Sequence, residues 1–310
     1  MTLRASSVAE LSSALAKACS ASTRIEGADL RALNKLLEYR PEDMTVTVQT
    51  GITLAELQKQ LASSGQWLPI DPPHPESLTI DELLNRNFSG PRRFGYGTIR
   101  EHLLGITAVL ADGRVIHNGG KVVKNVAGFD LCKLFVGSQW SLGIGIEATF
   151  KVRPLPALER FLAARFHDLS KAGAALQAVI ESQLTPAVLD LYSEKPSGCS
   201  LVLGLAGTTE EVDWQLEEAN KLGLADTGSL DYERAFWALS DTPHQASVLP
   251  SGLIAELQLR KPDAFVARAG NGIIFYRGGT PAEKASIPVA LNRRLKQTFD
   301  PKNILPELAL

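Results

Sequence analysis

Residues 90–156 read GPRRFGYGTIREHLLGITAVLADGRVIHNGGKVVKNVAGFDLCKLFVGSQWSLGIGIEATFKVRPLP, and the alternation in this stretch decides the fold class. Apolar β-type runs are separated by tight, glycine-rich turns. The run at 104–110 turns through Ala111, Asp112, Gly113 and Arg114 into Val115, Ile116 and His117. An Asp-Gly pair between apolar runs predicts a hairpin, because glycine reaches positive φ without steric cost. Residues 143–152 alternate like a further strand, and 127–135 read as a short helix.

Upstream, Val8, Leu11, Leu15 and Ala18 share one helical face, with Ser7 and Glu10 placed as a capping box. LRALNKLLEYRPED, from Leu30, reads as a short helix or turn before a strand of β-branched Thr45, Val46, Thr47 and Val48. Thr53 and Glu56 start a helix with Leu54, Leu57 and Leu61 on its apolar face, and Gly65 stops it. LPIDPPHPES, from Leu68, is too rich in proline for a helix and must be extended.

Downstream of Pro154 and Pro156 the pattern changes. A strand at 160–166 leads to a helix capped by Asp168. Strands follow at 187–192 and 200–205, and Thr208 with Glu211 caps a second helix. This β-α-β-β-α order is that of a ferredoxin-like unit. Strand-like runs at 253–259, 264–269 and 273–276 extend it, and 290–300 form a last helix. The expected class is α+β, with one domain over 1–155 completed by 290–310 and a smaller α+β domain over 156–289.

Composition excludes several functions. The chain has 310 residues, 45% apolar and 21% charged, with a net charge of -2. No basic excess marks a nucleic-acid surface, and no apolar run approaches the roughly 20 residues of a membrane helix. The first residues lack the apolar core of a signal peptide. Three scattered cysteines without a CxxC argue for a reducing, cytoplasmic setting and against a metal or iron–sulfur site. There is no GxGxxG after a strand, no GxxxxGK[ST] and no GxSxG, so a Rossmann dehydrogenase, a P-loop kinase and an α/β hydrolase find no support.

Residues 29–156, and more weakly the last twenty, resemble the FAD-binding subunit of glycolate oxidase in the vanillyl-alcohol-oxidase, or PCMH-type, superfamily. The resemblance rests on Leu78, Thr79 and Ile80, on FSGPRRFGYG from Phe88, on KVVKNVAGFDLCK from Lys121 with LFVGS after it, and on LGIGIE from Leu142. It implies a flavin domain of two α/β subdomains with FAD held non-covalently between them, plus a ferredoxin-like second domain. One glycine-rich segment passes under the flavin and another lines the adenine and isoalloxazine. Carried onto this chain, the cofactor-binding positions are Thr79, Ile80, Ser89, Gly90, Tyr96, Gly97, Gly143, Ile144 and Ile146.

Three positions depart from the family pattern. Asp81 and Glu82 stand where a glycine pair follows the isoleucine, Trp140 replaces a glycine, and only Gly27 remains of the first phosphate loop. Two carboxylates and a large ring oppose a diphosphate, and the lost loop removes N–H donors worth about 1.5–3 kcal/mol each. Retention and loss of FAD both remain open on the residues alone. If FAD is lost, the Trp140 indole is expected to occupy part of the vacated cleft.

The resemblance implies a subunit of a multi-subunit glycolate oxidase, which oxidises glycolate to glyoxylate beside a catalytic flavoprotein subunit and an iron–sulfur subunit. Such a chain would be cytoplasmic or held at a membrane by its partners. A non-catalytic scaffold that has lost flavin is one alternative, and an independent flavin-dependent alcohol or sugar oxidoreductase is another. No residue qualifies as a general base, so no catalytic residue is assigned. His102 reads as a structural histidine and His74 as a loop residue near the cleft. Arg92 and Arg93 suit an anion or a partner surface. RAGNG from Arg268 reads as a plain turn between two strands, and it also resembles the family's His-Ala-Gly-x-Gly element with Arg268 at the histidine position; Asp130 with Lys133 reads as a structural ion pair or cap.

Overall fold

The computed structural model describes residues 1–120, 131–193, 198–225, 227–282 and 289–307. The expected helix at 127–135 is found over Cys132–Phe135, and the expected pairing of Asp130 lies outside the described residues.

The N-terminal unit is a small parallel β-α-β. Thr2–Arg4 pairs with Gly27–Asp29, and the helix Val8–Ala21 connects them. Ser7 accepts the Glu10 N–H, as the capping pattern requires, while the Glu10 carboxylate turns to Ser6. Leu11 and Leu15 are fully buried beneath the helix.

Five antiparallel strands follow, in the order Leu36–Arg40, Thr45–Gln49, Ile144–Lys151, Leu103–Val109 and Val115–Gly119. The Asp112 and Gly113 hairpin is present, with Gly113 at φ +86°. The segment before Thr45, expected as a short helix or turn, turns at 31–32 and then forms a strand. Leu36–Arg40 pairs with Thr45–Gln49, so tertiary pairing overrides the helical propensity of Leu and Glu there. One face of the sheet, from Val46, Ile106, Ala148 and Phe150, packs on the helices Leu54–Ala62 and Ile80–Arg86.

The later residues build a second, six-stranded sheet in the order Leu158–Phe166, Cys199–Gly207, Val188–Ser193, Ala264–Arg268, Ile273–Arg277, His244–Ser247. Its neighbours are all antiparallel. The first three strands and the helices Leu169–Glu181 and Thr209–Lys221 form the ferredoxin-like unit, and Ala225 bridges onto Ala163 at its outer edge. The strand expected at 253–259 is the helix Leu253–Arg260. Leu253 and Leu257, four residues apart, are its buried positions, while Leu259 is exposed. The apolar residues follow a helical period here, not the period of two that a strand requires.

The chain then returns to its beginning. Leu295 and Phe299 of the helix Val289–Phe299 pack on the five-stranded sheet's core, with Phe299 edge-on to Phe135. Ile304 and Leu305 are buried with Leu11, Leu15 and Ile25. Lys296 fastens the turn, donating to the carbonyls of Ser141, Leu305 and Pro306 and to Asp300.

Candidate functional site

The resemblance puts a dinucleotide between the two small subdomains. Val109, Ile144 and Ile146 of the five-stranded sheet meet Leu11, Leu15, Leu30 and Leu33 of the N-terminal unit in one apolar cluster there. The turn at 30–33 replaces the phosphate loop and presses on Gly51. A Cβ at Gly51 would lie 1.8 Å from the Leu30 carbonyl oxygen. Three N–H groups beside it are already bonded within the chain. Gly51 donates to Leu33, Ile80 to Ile52 and Asp81 to Thr50. These three donors are therefore not free to hold an anion.

The departures from the family pattern meet at this point. Asp81 is 3% exposed, in the first turn of Ile80–Arg86. The Trp140 indole N–H donates to both its oxygens, at 3.2 and 3.0 Å. Asn85 donates to Asp81 at 2.8 Å and accepts the Trp140 backbone N–H at 2.9 Å. Burial raises the Asp81 carboxyl to about 8, against the pull of the Trp140 hydrogen bond. Glu82, the other acidic replacement, closes a capping box with Thr79. The half-buried Trp140 also packs on the apolar cluster. Its indole thus stands where it would occupy part of the cleft if FAD is lost.

The nine positions named from the sequence divide into two groups. Thr79, Ile80, Ser89, Gly143, Ile144 and Ile146 are buried in the chain's own packing. Thr79 caps its helix and Ser89 accepts the Ile99 N–H. A Cβ at Gly143 would lie 3.0 Å from the Val109 carbonyl oxygen, and Ile144 and Ile146 belong to the shared cluster. Gly90, Tyr96 and Gly97 are half-exposed. Gly90 and Gly97 take positive φ, and Tyr96 stands edge-on to Trp67.

At the other end, the segment expected under the flavin lines a chamber of about 40 Å³ with Phe88, Ser89, Arg93, Trp237, Arg268 and Phe275. Trp237 lies 6.4 Å from the Phe88 ring and 5.1 Å from that of Phe275. A water needs about 10–15 Å³ by such a measure, so the chamber suits a few waters or one small group, not a tricyclic ring. A larger cavity of about 490 Å³ lies alongside, lined by Trp67, Pro72, His74, Arg92 and Leu230 among others. Among the described residues, Asp81, Trp140 and the turn at 30–33 occupy the end where the resemblance puts the phosphates, and aromatics wall the small chamber at the other end.

Charged neighbours divide the two adjacent arginines. Arg92 makes a two-pronged pair with Glu159, at 2.8 and 2.6 Å, and bonds Asp71 at 2.6 Å. Burial nonetheless raises Asp71 to about 7, despite that arginine. Arg268 pairs through Nη1 with both Asp190 and Glu233, and all three are buried. Tyr232 donates to Asp190 at 2.7 Å. Sequence reasoning missed Asp190, Tyr232, Glu233 and Trp237; an acid inside the strand VLDLYS was the one available signal. His102 is structural as expected, bridging the Tyr96 and Lys151 carbonyls. No cluster of potential metal ligands occurs among the described residues, and no helix among them is long and apolar enough to cross a membrane.

Comparisons with known proteins agree with this architecture. Residues 8–119 match the FAD binding domain family. The glycolate oxidase subunit GlcD of Bacillus subtilis is 36% identical over 162 residues, 52% of this chain and 34% of that protein. The subunit GlcE of Escherichia coli is 37% identical over 129 residues, 41% of this chain and 37% of that protein. A probable mitochondrial D-lactate dehydrogenase of Danio rerio is 38% identical over 130 residues, 41% of this chain and 26% of that protein. The match thus spans about a third of these relatives' length. Two structures of alkyldihydroxyacetonephosphate synthase cover 98% of this chain and about three quarters of their own, with TM-scores of 0.70 and 0.75 at 20% and 17% identity. Over about its first half the chain is thus similar to FAD-binding proteins of the glycolate oxidase and D-lactate dehydrogenase kinds, and its fold is that of the alkyldihydroxyacetonephosphate synthase structures.

Proposed function

We propose that this chain is the FAD-binding-type subunit of a multi-subunit glycolate oxidase and serves it as a scaffold, without flavin of its own. The complex oxidises glycolate to glyoxylate on a catalytic flavoprotein subunit and passes electrons to an iron–sulfur subunit, in the cytoplasm or at a membrane reached through those partners. Its domains divide at about residue 155, and residues 290–310 complete the first. The relatives named as glycolate oxidase subunits support membership of the complex. The observation that carries the scaffold role is the lock of Asp81, Asn85 and Trp140 where a cofactor's phosphates would lie. A neutral, hydrogen-bonded carboxyl and an indole fill the space with the chain's own groups, so the fold stands without the ligand.

Co-expression with a catalytic flavoprotein and an iron–sulfur subunit tests this reading. The expected result is glycolate-dependent dye reduction that needs this chain present, with all flavin on the sister subunit. A yellow, monomeric chain that oxidises an alcohol by itself would overturn it in favour of an independent oxidoreductase.

A further inference from the structure

One short helix, Asp231–Trp237, stands between the two spaces described above. Leu230, Asp231, Glu233 and Arg234 line the cavity of about 490 Å³, and Trp237 lines the chamber of about 40 Å³. Pro72 and Pro73 line both. The helix rests on the six-stranded sheet through Tyr232 and Phe236, which form a small cluster with Val202 and Val266 apart from the main core. The Tyr232 ring stacks on Tyr192 at 4.3 Å. No side chain caps the helix N-terminus, and residues 238–242 after it are exposed. Gly228, donating to the Phe161 carbonyl, and Asp241, paired with Arg277, pin the chain on either side.

The polar attachments of this helix are unevenly matched. Arg268 Nη1 donates to Glu233 on the helix and to Asp190 on the neighbouring strand. One nitrogen serves two carboxylates, and Asp190 Oδ1 is buried with no hydrogen-bond partner among the described residues. Asp190 and Arg268 stand opposite each other in register on adjacent strands. When the helix lifts, Glu233 and Tyr232 leave with it, and Asp190 can take the Arg268 fork with both oxygens. Lifting the helix therefore strands no buried charge. Against opening stands the exposure of Tyr232, Phe236 and Trp237, so the closed form predominates.

We propose that the helix Asp231–Trp237 is a lid that opens as a unit on its flanking segments, 227–230 and 238–242. Opening exchanges the Arg268–Glu233 bond for a two-pronged Arg268–Asp190 pair and joins the chamber and the cavity into one cleft. This device goes beyond the scaffold role and does not depend on it.

Hydrogen exchange of the full chain, read by mass spectrometry, tests the lid. Amides of residues 234–238 should exchange at least about a hundredfold faster than those of Val188–Ser193 and Ala264–Arg268, through an opening that leaves the sheet folded. Two variants should move the helix in opposite directions. Glu233→Gln weakens only the closed form and should speed helix exchange about tenfold. Asp190→Asn takes the charged partner from the open form, keeps an acceptor for Tyr232, and should slow helix exchange. A helix that served only as packing would be loosened by both changes. Alkylation of Phe275→Cys, on the chamber wall, by N-ethylmaleimide should follow the same order across the two backgrounds. Thermal unfolding establishes that each variant folds; if one does not, the wild-type comparison and the other variant decide. Helix amides no faster than the strands, variants that do not shift them in these opposite directions, or alkylation indifferent to the helix would each overturn the proposal.

Discussion

Replacing Asp81 with asparagine should make the protein's stability less sensitive to pH. Asp81 is buried, and its carboxyl rises from 3.8 to about 8, mainly through desolvation. A carboxyl that holds its proton more tightly when folded stabilises the fold fully in acid, below its unfolded value. That contribution is lost as pH rises through the folded value. Each pH unit separating the folded from the unfolded value corresponds to about 1.4 kcal/mol, so the slope between about pH 4 and about pH 8 is on the order of 1 kcal/mol per pH unit. Over the window the loss amounts to several kcal/mol, a large part of a typical domain's stability. Asparagine keeps an oxygen for the Trp140 N–H and does not titrate. Asp71 and Asp190 are also raised, to about 7 and about 6, so the informative quantity is the difference between wild type and Asp81→Asn. Urea denaturation at several values between about pH 5 and about pH 8 should show the variant gaining on the wild type as pH rises. Parallel stability curves for the two proteins would refute the assignment of a buried, protonated Asp81.

Trp140→Ala removes the indole from the apolar cluster and its donor from Asp81; a loss of about 2–4 kcal/mol in chemical denaturation is expected, with Trp140→Phe recovering more than half. Arg92→Ala leaves Asp71 and Glu159 without their shared cation and should cost about 3 kcal/mol by the same measurement, while Arg92→Lys, which lacks the planar fork, should fall between. Thr79→Ala breaks the capping box with Glu82 and should lower the denaturation free energy by about 1 kcal/mol.

Local signals account for the elements that were legible in the sequence. Ser7, Thr53, Asp168 and Thr208 each cap the helix that their spacing announced. The glycine turn at Asp112 and Gly113 formed the expected hairpin. Non-local contacts explain the elements that were not legible. Leu36–Arg40 becomes a strand because Thr45–Gln49 offers it a partner, and Leu253 with Leu257 buries one face of a helix whose apolar run resembles a strand. At the candidate site the sequence marked Asp81, Glu82 and Trp140 as departures, yet it carried no sign that Asp81 and Trp140, 59 residues apart, would bond each other. In the sequence Arg92 and Arg93 are simply a pair. The fold gives Arg92 to Asp71 and Glu159 and turns Arg93 into a chamber. The helix Asp231–Trp237, which supplies Glu233 and Trp237, follows a polar segment with no capping signature.

A FAD-binding-type fold whose cofactor site is closed by its own side chains should not take up flavin. Titration of the purified chain with FAD, followed by calorimetry and by the flavin absorbance bands at ~370 and ~450 nm, tests this closure most directly. The expected result is a colourless protein with no saturable FAD binding in the micromolar range. Submicromolar affinity, or FAD retained through purification at one per chain, would contradict it.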